Sequence, residues 1–165
     1  MPIIHLIRHA PPAIVGVLIG TADIPLADCV IAPATLDVDV ILSSPLSRAR
    51  RTAELLFPGR PIEVIPALQE RALGDWERKT WSEVETGWPE IAKQDWLTST
   101  PPNGESWVDF EARVRAVWQS IDKTKDTAIV AHLGVNSLLH YFLTGRNFIS
   151  FQQDYLETIS LALPD

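Results

Sequence analysis

An apolar run, "IIHLI" at residues 3–7, ends on Arg8-His9, and a second, "TAIVA" at 127–131, ends on His132. A cation and imidazoles set directly after apolar runs are the residue types that grip and attack phosphorus. Neutral imidazole is a competent nucleophile and forms a hydrolysable phosphoramidate. A guanidinium offers phosphate oxygens two parallel hydrogen bonds from one planar fork. Phosphoryl transfer also needs an acid for the leaving oxygen, which a carboxyl group supplies when burial and a nearby phosphate keep it protonated.

Each of these residues has a plainer role to set against that chemistry. A histidine after a strand is more often a packing or surface residue. His5 and His9 are four apart and share a face of a strand, which hints at a metal pair, but no carboxylate joins them in spacing. His140 falls on an apolar helix, a structural setting. Trp76 and Trp81 suit core or a cleft wall better than a base-stacking platform.

Elements that could position the two histidines are legible from periodicity and punctuation. Short apolar runs predict strands over 3–7, 38–43, 62–65, 127–131 and 157–163. Ser44 and Pro45 suit the cap and first position of a helix that Pro58-Gly59 stops. Thr80 and Glu83 have capping-box spacing before the Trp88-Pro89 break. Beyond the "PPNG" loop at 101–104, Phe110, Val114, Val117 and Ile121 mark one face of a helix that Ser106 caps. A last helix over "GVNSLLHYFLT" stops at Gly145. Strands separated by helices predict a three-layer α/β/α sandwich around a mainly parallel sheet, in one domain over residues 1–165. Such sheets bind ligands beyond the carboxyl ends of their strands, which puts His9 and His132 on one rim.

Composition narrows the partners. The 165 residues carry a formal net charge of −7, which argues against a nucleic-acid footprint and asks any anion site for a local positive cluster. Cys29 is the one cysteine, so neither an internal disulfide nor a cysteine-based zinc site is available. No apolar run approaches membrane-spanning length and no signal-peptide pattern opens the chain, so a cytoplasmic protein with no membrane partner is expected.

Six segments in order carry a resemblance. "LIRHA" (6–10), "GTADIPLA" (20–27), "SSPLSRARRTAELL" (43–56), "LQERALGDWE" (68–77), "PNGESWVDFEARV" (102–114) and "IVAHLGV" (129–135) together resemble the motif set of the histidine phosphatase superfamily, the phosphoglycerate-mutase-like proteins. Within it they are most similar to the α-ribazole phosphatase-like branch. The resemblance implies a phosphatase that hydrolyses a small phosphomonoester through a phosphohistidine, with α-ribazole 5′-phosphate or a related metabolite as candidate substrate. It makes His9 the nucleophile, Glu70 the proton donor, Arg8, Arg48 and His132 the phosphate pocket, and Thr21 a substrate contact. No metal and no organic cofactor is expected, and a homodimer is left open.

Several positions depart from the family pattern. Ala10 replaces a glycine, Pro11-Pro12 replace Glu-Thr or Glu-Ser, and Val15 stands where many members place a phosphate-contacting asparagine. Arg78 replaces a glycine, Leu133 replaces a small residue, and the stretch 26–41 is shorter than the usual crossover helix. Two alternatives therefore stand beside the phosphatase: a mutase, for which the chain lacks the usual site-closing insertion, and a weakly active phosphate-sensing or partner-binding module.

Overall fold

A computed structural model describes residues 1–95 and 98–163. In chain order they form β1 (Ile3–Arg8), β2 (Val40–Ser43), α1 (Ser47–Leu56), β3 (Glu63–Val64), α2 (Trp81–Gly87), α3 (Pro89–Ala92), α4 (Trp107–Ser120), β4 (Thr127–Ala131), α5 (Leu133–Thr144) and β5 (Thr158–Ala162). The five strands make one sheet in the order β3-β2-β4-β1-β5. Every pairing is parallel except the edge pair of β1 with β5.

Alternation along the strands sorts side chains to two faces. Ile4, Leu6, Leu42, Ile129 and Ala131 pack with Phe110, Val114 and Val117 of α4 and with Val135, Leu138 and Leu139 of α5. Ile7, Ile41, Ala128 and Val130 face the other way, onto Ala53 and Phe57 around α1. Helices therefore lie on both faces of a mainly parallel sheet, as the strand–helix alternation predicts. Each fully buried aliphatic side chain contributes roughly 1.5–3 kcal/mol.

The α1 face is the thinner layer. The chain from β1 to β2 forms no helix, and Ala34, Leu36 and Val38 cover the sheet there as irregular chain. This shortened crossover still skips a strand position, because β4 lies between β1 and β2.

Helix starts follow local chemistry in two cases and not in a third. Thr80 and Glu83 form the reciprocal capping box, and the Ser106 hydroxyl accepts from the Asp109 N–H. Gly145 ends α5 in the left-handed conformation with φ 70°. By contrast α1 begins at Ser47, three residues beyond the serine that suits its cap. Its first N–H is taken by Asp23 Oδ1 at 2.9 Å, from the loop after β1, and Ser44 is used elsewhere. No helix of the described residues is long and apolar enough to cross a membrane.

Candidate active site

Parallel β1, β2 and β4 point the same way, and the register pairs Arg8 with Ala131 and Ser43 with Val130. Their last residues, and the first turns of α1 and α5, consequently meet at one edge of the sheet. This is the physical reason Arg8-His9, Ser44 and His132 are neighbours despite separations of up to 124 positions.

His9 continues the ladder by donating its backbone N–H to Ala131 O. Its Nδ1 lies 2.7 Å from Ala10 O; a carbonyl only accepts, so Nδ1 carries the proton. Nε2 is left with a lone pair, toward which Arg48 Nε–H donates at 3.3 Å. Burial pushes the imidazole pKa down to about 3; the Arg48 and Arg8 charges act in the same direction, and the Ala10 hydrogen bond opposes them. His9 is thus neutral at physiological pH. Ala10, fully buried, is tied to α1 by its N–H to Thr52 Oγ1.

Arg48, 1 % exposed, is clamped by Nη1 to Ala22 O and Nη2 to Gly20 O, both at 2.8 Å. Burial lowers its pKa, and Glu70 is the largest charge opposing that shift. The loop holding Arg48 is itself pinned by Glu77 Oε1, which accepts from Thr21 N, Thr21 Oγ1 and Leu73 N. The Thr21 hydroxyl accordingly turns to Glu77, and Gly20 is the residue of this loop that lines the cavity.

His132 is fully buried and held neutral: burial drives its pKa well below the ordinary value, with His9 and Arg48 adding to the effect. Its Nε2 lies 2.7 Å from Ser44 Oγ. That oxygen also accepts the Leu46 N–H, and among the described residues its own proton has no acceptor but His132 Nε2, to which it donates. The imidazole proton then sits on Nδ1, which is buried without a hydrogen-bond partner among the described residues. The rings of His9 and His132 meet edge to face, 5.1 Å between centroids.

Arg8 donates Nη1 to Gln153 O at 2.6 Å and lies over the Tyr155 ring, 3.9 Å from its centroid. Its Nε is a second buried donor with no partner among the described residues. Glu70 faces these groups with its carboxylate held by two backbone donors, Arg71 N at 3.0 Å and Gly134 N at 2.9 Å. Gly134 is required there, because a Cβ would stand 2.5 Å from Glu70 Oε1. The loop carrying Glu70 is braced by Arg113, which donates to Ala67 O, Gln69 O and Glu70 O while its fork grips both Glu105 oxygens at 2.6 and 2.9 Å.

Arg8, His9, Arg48, Glu70 and His132 all line one cavity of about 440 Å³. Away from the charged end its wall is mostly apolar, with Leu18, Leu73, Leu133 and Phe151 beside Trp107 stacked on Phe148 at 4.8 Å, and Arg71 and Gln152 as its polar members. Neither Trp76 nor Trp81, weighed as walls from the sequence, lines it; Trp107 does, and Trp76 is buried core, set edge-on against Trp81. The departures from the family pattern divide likewise. Leu133 lines the cavity, whereas Val15 is 68 % exposed and stands off it, and Pro11-Pro12 are also outside it. Arg78 adopts φ 65°, the left-handed backbone that suits the glycine it replaces.

His5 bonds Ser160 Oγ across the β1–β5 pair, and His140 packs beside Phe151. Among the described residues no group of three or more His, Cys, Asp and Glu could hold a metal ion. Sequence reasoning missed Ser44, Gln153 and Tyr155. No spacing rule marks them, and Ser44 reads locally as a helix cap.

Comparison with known proteins agrees with this fold. The family model "Histidine phosphatase superfamily (branch 1)" matches residues 4–163. The adenosylcobalamin/alpha-ribazole phosphatase of Salmonella typhimurium is 35% identical over 156 residues, spanning 81% of this chain and 75% of that protein. The crystal structure of the alpha-ribazole phosphatase from Shigella flexneri superposes with a TM-score of 0.81 at 29% identity, over 96% of this chain and 89% of that one. A solved structure from Escherichia coli K-12 reaches a TM-score of 0.86 at 28% identity, over 96% and 89% of the two chains.

Proposed function

The chain belongs to branch 1 of the histidine phosphatase superfamily and is a phosphatase of small phosphate esters, and on that premise we propose how its residues divide the work. The carrying observation is the convergence of one imidazole nitrogen held as an acceptor, His9 Nε2, with two buried, unpartnered donors, Arg8 Nε and His132 Nδ1. Buried donors without partners cost free energy unless a ligand meets them. A phosphate group beside His9 meets both.

The substrate phosphoryl displaces the long Arg48 contact on His9 Nε2 and takes Arg48 Nε–H for itself. The Nε2 lone pair forms the P–N bond while the bond from phosphorus to the leaving oxygen breaks. Glu70, which enters this half protonated, gives that oxygen its proton and is left as the carboxylate. The His9 Nδ1–H stays on Ala10 O, which stabilises the positive charge that develops on the ring. In the second half Glu70, now a base, takes a proton from water. The water oxygen bonds phosphorus, and the P–N electron pair returns to Nε2. Arg8, Arg48 and His132 hold the equatorial oxygens in both halves. Thr21 serves through its hold on the Gly20–Ala22 loop, which places Arg48. Ser44 serves by setting the His132 tautomer.

For the alcohol half of the substrate, we read the apolar wall as selecting an uncharged, flat group. Arg71, the guanidinium at that end, already donates to the carbonyls of Ser99 and Glu105. α-Ribazole 5′-phosphate or a related aromatic nucleotide fits that chemistry, and the Salmonella relative's name points the same way.

The test is phosphate release from a panel containing α-ribazole 5′-phosphate, phenyl phosphate and 3-phosphoglycerate, run beside His9→Ala. Turnover should vanish in the variant, and rapid denaturation of the wild type at alkaline pH, where the P–N bond survives, should trap phosphate on His9. Turnover that survives His9→Ala refutes the phosphohistidine. A preference for 3-phosphoglycerate refutes the reading of the wall.

A further inference from the structure

The two arginines of the site are held very differently. Arg48 has two carbonyls clamping its amino groups. Arg8 has one side-chain hydrogen bond among the described residues, to Gln153 O, and one face of its fork lies on Tyr155. The residues that restrain Arg8 come from the segment before β5, which no motif marks.

That segment is built tightly against Arg8. Gln153, 3 % exposed, donates Nε2 to Leu6 O and Glu157 O and accepts from Asn136 Nδ2 at 2.9 Å. Its carbonyl is thereby fixed where Arg8 Nη1 meets it. Leu156 takes φ 63°, a left-handed backbone that a leucine adopts at a cost. The reversal clasps Arg8 from both sides of the chain: Leu156 N donates to Arg8 O, and Arg8 N donates to Glu157 O. It also brings the Tyr155 ring under the guanidinium and within 5.5 Å of the His9 ring. A strained residue that persists in such a network signals a geometry the surroundings over-determine.

We propose that Tyr155 is a positioning residue for the phosphate site: its ring and the Gln153 carbonyl together lock the Arg8 fork so that the Nε edge faces the phosphoryl group. A guanidinium stacked on an aromatic face loses rotational freedom while keeping its in-plane donors. The Nη1 edge is spent on Gln153, and the Nε edge remains. This inference rests on Arg8 as a phosphate ligand, and the test separates the two.

The probe is inorganic vanadate, measured as a competitive inhibitor, together with kcat and KM for phenyl phosphate. Tyr155→Leu is expected to weaken vanadate roughly 3- to 30-fold, the span of a cation–π contact, and to raise KM more than it lowers kcat. Tyr155→Phe keeps the ring and should restore vanadate affinity. In an Arg8→Ala background, Tyr155→Leu should add no more than about twofold, since coupled residues fail to add. Should Tyr155→Leu not fold, Tyr155→Met goes through the same cycle. Equal losses in both backgrounds, or a Phe variant as damaged as Leu, overturn the positioning role. Unchanged vanadate affinity in Arg8→Ala alone overturns the reading of Arg8, and this inference falls with it.

Discussion

Ser44→Ala is the sharpest single perturbation of the proposed mechanism. The hydroxyl is fully buried and serves two groups, His132 Nε2 at 2.7 Å and Leu46 N at 3.3 Å. Removing it leaves both unmet, and one buried group without its partner costs about 1–3 kcal/mol. With the longer contact weighted lightly, the loss is about 2 kcal/mol, or roughly 4–8 °C in Tm for a chain of this size. The functional effect is separate. Burial holds His132 neutral, so it has one N–H, and without Ser44 that proton is free to move to Nε2. Each molecule in the wrong tautomer loses a hydrogen bond to a charged oxygen, worth about 1.5–3 kcal/mol. Partial loss of the right tautomer then lowers kcat/KM on the order of tenfold, below the hundredfold ceiling that the full bond energy sets. Nitrogen-15 shifts of the His132 ring, read beside steady-state kinetics, check both halves. A variant whose His132 proton stays on Nδ1, or one that loses as much activity in a His132→Ala background, refutes the reasoning.

Stability should depend on pH through the same buried imidazoles. The folded pKa of His9, about 3, and that of His132 lie below the ordinary 6.5, so below pH 6.5 the unfolded chain binds protons that the folded chain refuses. Stability is therefore full above pH 6.5 and falls as pH drops toward 3, by up to about 1.4 kcal/mol per pH unit for each histidine. Urea unfolding at pH 7.5, 6.5 and 5.5 should show the fall, and His9→Ala should flatten it; an equally steep curve in the variant counts against a neutral His9. Gly134→Ala places a Cβ 2.5 Å from Glu70 Oε1, and the carboxylate end is what yields. Tm should barely change while kcat falls on the order of a hundredfold, because a catalytic group moved by about 1 Å loses that much. A drop in Tm with kcat intact contradicts the placement. Arg78→Gly relieves a left-handed backbone at an exposed position and should raise stability by about 0.5–1 kcal/mol, after the glycine's own entropic cost. A lower urea midpoint shows that Arg78 makes a contribution outweighing its strain.

Much of the scaffold was legible because its signals are short-ranged. Apolar runs of four to seven residues located the strands, and three of the helix-end signals, at Thr80, Ser106 and Gly145, act within a turn of the backbone they satisfy. The rule that parallel strands present their carboxyl ends together put Arg8-His9 and His132 on one rim without coordinates. Arg48 and Glu70 were legible only through the motif resemblance. Nothing in the local spacing of Arg48, Arg50 and Arg51 says which one turns inward.

What the tertiary structure decided are the side-chain pairings between segments far apart in sequence, where periodicity and propensity carry no information. Ser44 satisfies every local criterion for a helix cap, yet Asp23 takes that task from 24 residues away and Ser44 is spent on His132. Thr21 belongs to a motif loop, but Glu77, 56 positions on, turns its hydroxyl away from the cavity. Gln153 and Tyr155 carry no motif signal and close over Arg8 because antiparallel β5 returns the chain beside β1. Residue order alone sets which groups are available for phosphoryl chemistry and which strand ends present them. Only the packing of the sheet with its loops decided which proton sits on which nitrogen and which fork is held open, since those depend on hydrogen-bond partners that meet solely in the folded chain.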